Sequence, residues 1–159
     1  MKYSFLNIIV GVLITFVMAS CAEKEKVDLT QAPDDVKDAV EHSYILSEKL
    51  TDLQVKAGAD NILNEKEIEE IGESFRELAI VNNINLKNYA TDKYFIALRK
   101  EYKPQFDTLA AKVVFLKDCE GYDDMGLAIQ KISIEVKDVI ELPVPEPEVT
   151  DTTAVPEPM

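Results

Sequence analysis

The chain has 159 residues, with 30 acids against 17 lysines and arginines, one histidine and a formal net charge of −13. Such acidity excludes nucleic acid as a natural partner, because basic surface supplies most of that affinity, and it excludes gripping anionic lipid by surface charge. It keeps the chain soluble and favours cationic partners; the length suits one ordinary domain.

Met1-Lys2-Tyr3-Ser4 is a short positive start, and Phe5 to Met18 (FLNIIVGVLITFVM) is apolar apart from Asn7 and Thr15. Small residues Ala19 and Ser20 follow, then Cys21. A basic start, an apolar run and small residues before a cut describe a secretory signal peptide over 1–20. A retained membrane anchor is the rival, but about 15 residues make a helix of roughly 22 Å, short of the roughly 30 Å of a bilayer core. Met18-Ala19-Ser20-Cys21 resembles the lipobox of bacterial lipoproteins, with Met18 in place of the commonest Leu. The resemblance covers only the first 21 residues. It implies lipid on Cys21, cleavage before it and a membrane contact made through that lipid. Two or more acyl chains make such a tether stable where one does not. Cleavage removes Lys2 and no acid, taking the formal charge from −13 to −14. It also leaves Cys119 without a disulfide partner in the chain. The carboxylates in DCEGYDD disfavour its thiolate, so an unreactive thiol is expected.

Residues 21–32 read as a lipidated flexible tether: AEKEKVDLTQA, polar and charged, follows the cysteine. Ala22 lacks the Asp that retains enterobacterial lipoproteins in the inner membrane, so the resemblance implies the outer membrane. Glu23-Lys24-Glu25-Lys26 loosely resembles the charged run that sends Bacteroidetes lipoproteins to the cell surface. The periplasmic and surface faces both stay open.

Residues 33–140 carry helical spacing. Pro33 with Asp34 and Asp35 suits a first turn. The stripe Ala39, Ser43, Leu46, Leu50, Leu53 and Ala57 predicts one buried face, and Gly58 a C-terminal stop. Asn64 with Glu67 reads as a capping box opening a second helix, with Ile68, Ile71, Phe75, Leu78 and Asn82 on its face. A third helix is expected from about Asn85, through Leu86, Tyr89, Ala90, Tyr94, Ala97 and Leu98. It is kinked or broken near Pro104 and continues through Phe106, Leu109, Val113 and Leu116. Asp118 to Asp124 forms a loop around Gly121, and the last helix carries Met125, Ile129, Ile132, Val136 and Val139. Four stripes joined by short loops predict an all-α fold, an antiparallel four-helix bundle. Ser43 and Asn82 would be polar points in its seam that fix register. Residues 141–159 (ELPVPEPEVTDTTAVPEPM) hold five of the seven prolines and repeat Val-Pro-Glu-Pro. Such a tail is expected to be extended and disordered, able to occupy a groove that reads proline-rich strands.

Helical bundles often hold metals or haem, so ligands decide the next step. The only histidine is His42. A carboxylate-bridged di-iron centre needs two Glu-x-x-His motifs, and position 39 is Ala39. Haem ligation by His42 and Met125 stands as the sharpest ligand-binding alternative. The loop acids Asp118, Glu120, Asp123 and Asp124 offer oxygens to a hard cation without EF-hand spacing. No Gly-rich phosphate loop is present, and any triad would need His42 as its base. Tyr89, Tyr94, Phe95 and Tyr102 lie at helical spacing, which reads as core before ligand surface. The expectation is a non-enzymatic module that calls for no cofactor, anchored in the bacterial envelope and binding a protein or peptide there. The alternative is a small-ligand, haem or metal-binding bundle in the periplasm.

Overall fold

The computed structural model describes residues 27–140, with side chains described to Lys137. The signal segment, Cys21, the Pro/Glu tail and the side chain of Val139 lie outside the described residues. The fold is all-α. Four helices run α1 (Asp34–Ala57), α2 (Glu65–Tyr89), α3 (Lys93–Lys112) and α4 (Tyr122–Ile140), with short 3-10 turns at Leu29–Gln31, Gly58–Asp60 and Val114–Asp118.

Local chemistry starts each helix. Asp34 and Asp35 sit in the first turn of α1, where acids meet the positive end of the helix dipole. The capping box forms as expected: Asn64 Oδ1 accepts from Glu67 N at 3.1 Å, and Asn64 N donates to Glu67 Oε2 at 3.0 Å. Asp92 opens α3, its Oδ1 accepting from Tyr94 N and Phe95 N at 2.8 and 2.9 Å. This moves the expected boundary between the second and third helices. The run Asn82-Asn83-Ile84-Asn85 does not end α2, which continues to Tyr89. Asparagine's weak helix propensity is overridden by a tertiary contact: buried Asn85 donates through Nδ2 to Ala39 O at 2.9 Å and to Ser43 Oγ at 3.0 Å on α1.

Consecutive helices run antiparallel. Along α1 and α2, Tyr89 meets Asp35, Asn85 meets Ser43 and Glu77 meets Lys49. The helices that pack closely are α3 on α1, α1 on α2 and α2 on α4, so α1 is covered on two sides. Two apolar centres result. The larger gathers Leu46, Leu50, Ile71, Phe75, Leu78, Leu116, Met125, Ile129, Ile132 and Val136 from α1, α2, α4 and the turn before α4. The smaller gathers Ala32, Val36, Val40, Phe95 and Leu98, and Tyr89, Tyr94 and Tyr102 pack against it. The aromatic run thus joins a core. Tyr44 links α1 to α3 edge-on, its ring 5.6 Å from those of Tyr102 and Phe106.

The structure also adjusts the expectations at residues 28–32, at Pro104 and at Gly58. Residues 28–32, assigned to the flexible tether, belong to the folded unit: Asp28 accepts from Thr30 N, and Leu29 and Ala32 pack into the smaller core. Helix α3 continues through Pro104, so of the kinked and broken forms expected there the break is not found. The carbonyl of Lys100, which proline leaves without its usual donor, lies on an exposed stretch open to solvent. Gly58 does end α1, but at φ −78° and without the left-handed cap. Its bareness matters for another reason: a Cβ there would lie 2.4 Å from Leu116 Cδ2 and 2.8 Å from Phe115 Cε2.

Candidate functional site

The polar side chains of α1 lead to the first candidate. Ser43, Ser47, Thr51 and Gln54 are all buried; Ser43 lies in the expected stripe, and the other three lie outside it. Ser47 Oγ donates to Ser43 O at 2.7 Å, and Ser43 Oγ to Ala39 O at 3.1 Å, each satisfying itself against the preceding turn. Between α1, α2 and α3 these serines line a cavity of about 20 Å³ with Val40, Asn82, Phe95, Arg99 and Phe106. Arg99 is half-buried, its guanidinium carbon 5.6 Å from the Phe95 ring centroid, and burial lowers its pKa from the ordinary arginine value. Hydroxyls, an amide and a guanidinium are good company for a small polar guest. The volume admits about one water molecule, so the chamber is a joint between helices and has no room for a substrate. Ser43 and Asn82 sit in the seam as expected; Ser47, Asn85 and Arg99 were not singled out. Arg99 had a signal, since Phe95, Arg99, Tyr102 and Phe106 follow one helical stripe.

The second candidate is the end of the bundle where α1 stops and α4 starts. Leu63 N donates to Glu120 O at 2.8 Å and Glu120 N to Asn61 O at 3.0 Å, tying the two loops together. Gly121 has φ +84°, and a Cβ there would meet Leu63 O at 2.4 Å, so only glycine fits the turn. Leu63, Leu116 and Cys119 point into the core while Ile62, Val114 and Phe115 stand outward. The Cys119 thiol lies 3.9 Å from Gly58 O. Burial raises its pKa, and Asp118 and Asp60 add to the rise.

The residues singled out as ligands do not converge. His42 is exposed on α1. Met125 is fully buried in the larger core, beside the loops at the far end, roughly 20 Å along α1 from the level of His42. The haem pairing therefore has no shared site. Asp118 and Glu120 are exposed on their loop, and Asp123 and Asp124 are exposed in the first turn of α4. Among the described residues, no three histidines, cysteines or acids come together to hold a metal. A wide-open groove of about 460 Å³ follows α1 past Ile45, Glu48, Lys49, Asp52, Leu53 and Lys56; Lys49 is paired there with Glu77 at 3.0 Å. Among the described residues, no helix is long and apolar enough to cross a membrane. No family model, curated protein or solved structure matches the chain.

Proposed function

We propose that this protein is a lipid-anchored component of the bacterial cell envelope, a non-enzymatic helical module that binds a protein or peptide. The observation that carries the address is Met18-Ala19-Ser20-Cys21 behind the apolar run from Phe5. Lipid on Cys21 holds the chain to a membrane, and Ala22 favours the outer one, on its periplasmic or surface face. A binding role is supported by a filled interior and by apolar side chains left standing on the surface. Ile62, Val114 and Phe115 are all more than a third exposed. The lone imidazole of His42 faces solvent and shares no pocket with the loop acids or with Arg99.

The test is Cys21→Ala in the native host. Uncut precursor and loss of fatty-acid labelling are expected; normal processing refutes the anchor. Absorption spectra and metal analysis of the native protein separate the binding reading from its alternative. A Soret band or stoichiometric metal refutes the module that needs neither.

A further inference from the structure

We propose that the end of the bundle formed by Gly58 to Leu63 and Val114 to Asp124 is a docking face for a protein segment that presents apolar side chains flanked by Lys or Arg. This deepens the tethered-module reading and rests on it for the face's position in the envelope.

Each loop here carries more adjacent large apolar residues than the core takes in: two in the first and three in the second. Leu63 fills the core at 4% exposure and its neighbour Ile62 stands out at 48%. Leu116 fills the core at 1%, while Val114 and Phe115 before it are 41% and 36% exposed. None of these outward residues belongs to either apolar core. The Phe115 ring also lies over Gly58, next to the strand-like segment that carries Ile62. The backbone beneath is set by the Leu63–Glu120 and Glu120–Asn61 hydrogen bonds and by the Gly121 turn. A rigid apolar patch loses little entropy when a partner arrives.

Charge names the partner. Asp60, Asp118, Glu120, Asp123 and Asp124 are exposed in these two segments, and Lys117 is their one base. An apolar centre with a charged rim is the usual anatomy of a protein interface, and an acidic rim steers cationic partners and repels acidic ones. A phospholipid surface, anionic or zwitterionic, offers no such match. The direction of the helices adds reach. The tether enters at the start of α1, and α1 is 24 residues long, so the face stands about 36 Å beyond the tether at 1.5 Å per residue.

The test is photo-crosslinking in the native envelope. The full chain carries a photoreactive phenylalanine analogue at position 62 or 115. Positions 84 and 134, also exposed isoleucines but on the flanks of α2 and α4, serve as controls. One adduct shared by 62 and 115 and missing from 84 and 134 is expected, its crosslinked segment net positive and apolar. Asp118→Lys combined with Glu120→Lys should lower its yield at least threefold. Glu120 makes its ties through the backbone, so the variant keeps the fold, checked by an unchanged melting temperature. An adduct to an acidic or neutral segment, to lipid or to a second copy overturns the proposal. So does equal labelling at the controls, or no adduct at 62 and 115. Lipid labelling of the Cys21→Ala chain reads the tether separately. Normal processing there removes the address and leaves the docking face standing; a correctly lipidated chain with no adduct does the reverse.

Discussion

Gly121→Ala tests how the two loops are held together. At φ +84° a residue with a Cβ is strained by about 1–2 kcal/mol. The new methyl would also meet Leu63 O at 2.4 Å. That neighbour is backbone and cannot rotate away, so the two segments must separate. Separation weakens the bonds Leu63 N to Glu120 O and Glu120 N to Asn61 O, each contributing about 0.5–1.5 kcal/mol. The combined loss is about 2–5 kcal/mol, a fall in Tm of about 10 °C or more for a domain this size. Urea denaturation followed by far-UV circular dichroism measures it on the chain without residues 1–21. Gly72→Ala is the control. Its Cβ would face only Ile132 Cδ1 at 3.1 Å, the movable tip of a side chain. In mid-helix, alanine gains about 0.5–1 kcal/mol over glycine. Near-neutral stability is expected. If Gly121→Ala lies within about 0.5 kcal/mol of the parent, or the two variants cost the same, the account of the turn is wrong.

Asp92→Ala removes the acceptor for Tyr94 N and Phe95 N and should cost about 1 kcal/mol by the same denaturation; no change would mean that water caps α3 equally well. Arg76 Nη2 donates to Glu135 Oε2 at 2.6 Å, and this bond holds the Glu135 carboxyl below its ordinary pKa. The pair's stabilisation is complete above the unfolded glutamate pKa of about 4.3 and is lost as pH falls through the lower folded value. Glu135→Gln should therefore weaken the protein at neutral pH and converge with the parent in acid; a gap that ignores pH refutes the pairing. Buried Cys119, its pKa raised, should react with a thiol reagent at neutral pH at least tenfold more slowly than in denaturant, measured with Cys21→Ser; fast labelling of the folded chain would contradict its burial. Amide hydrogen exchange should be faster along α3 than along α2 and α4. Helix α3 buries only Phe95, Leu98 and Leu109, and lightly packed elements open first. Equal protection would show that the smaller core is as stable as the larger.

Much of the fold was legible because helices announce themselves by period and by caps. Asn64 with Glu67 located the start of α2, and Ile71, Phe75, Leu78, Met125, Ile129, Ile132 and Val136 are core residues in both the pattern and the structure. The α2–α3 boundary was not legible from propensity. Three asparagines in four residues look like a loop until Asn85 is seen bonding across to Ala39 and Ser43. The start of the folded unit was hidden similarly. Residues 28–32 are polar enough to read as tether, and only the contacts of Leu29 and Ala32 with the smaller core draw them in.

Helix α1 explains why the rest escaped notice. It packs against α2 on one side and α3 on the other, so it needs two buried faces. One is apolar and stood out as a stripe. Much of the other is Ser47, Thr51 and Gln54 beside Ser43, and by period alone those three look like a solvated face. Short hydroxyls suit such a place because they return their donors to the preceding turn, as Ser43 and Ser47 do, and so cover α1 at little desolvation cost. The same choice sets the one-water chamber beside Arg99 and weakens the grip on α3 relative to a second apolar stripe. The outward apolar residues present the converse case. Ile62, Val114 and Phe115 carry no signal in the sequence, because no periodicity says which of several adjacent apolar residues turns inward. Only the inward placement of Leu63 and Leu116 leaves the other three without a role in the core, and that leftover is what makes the far end of the bundle the surface to test first.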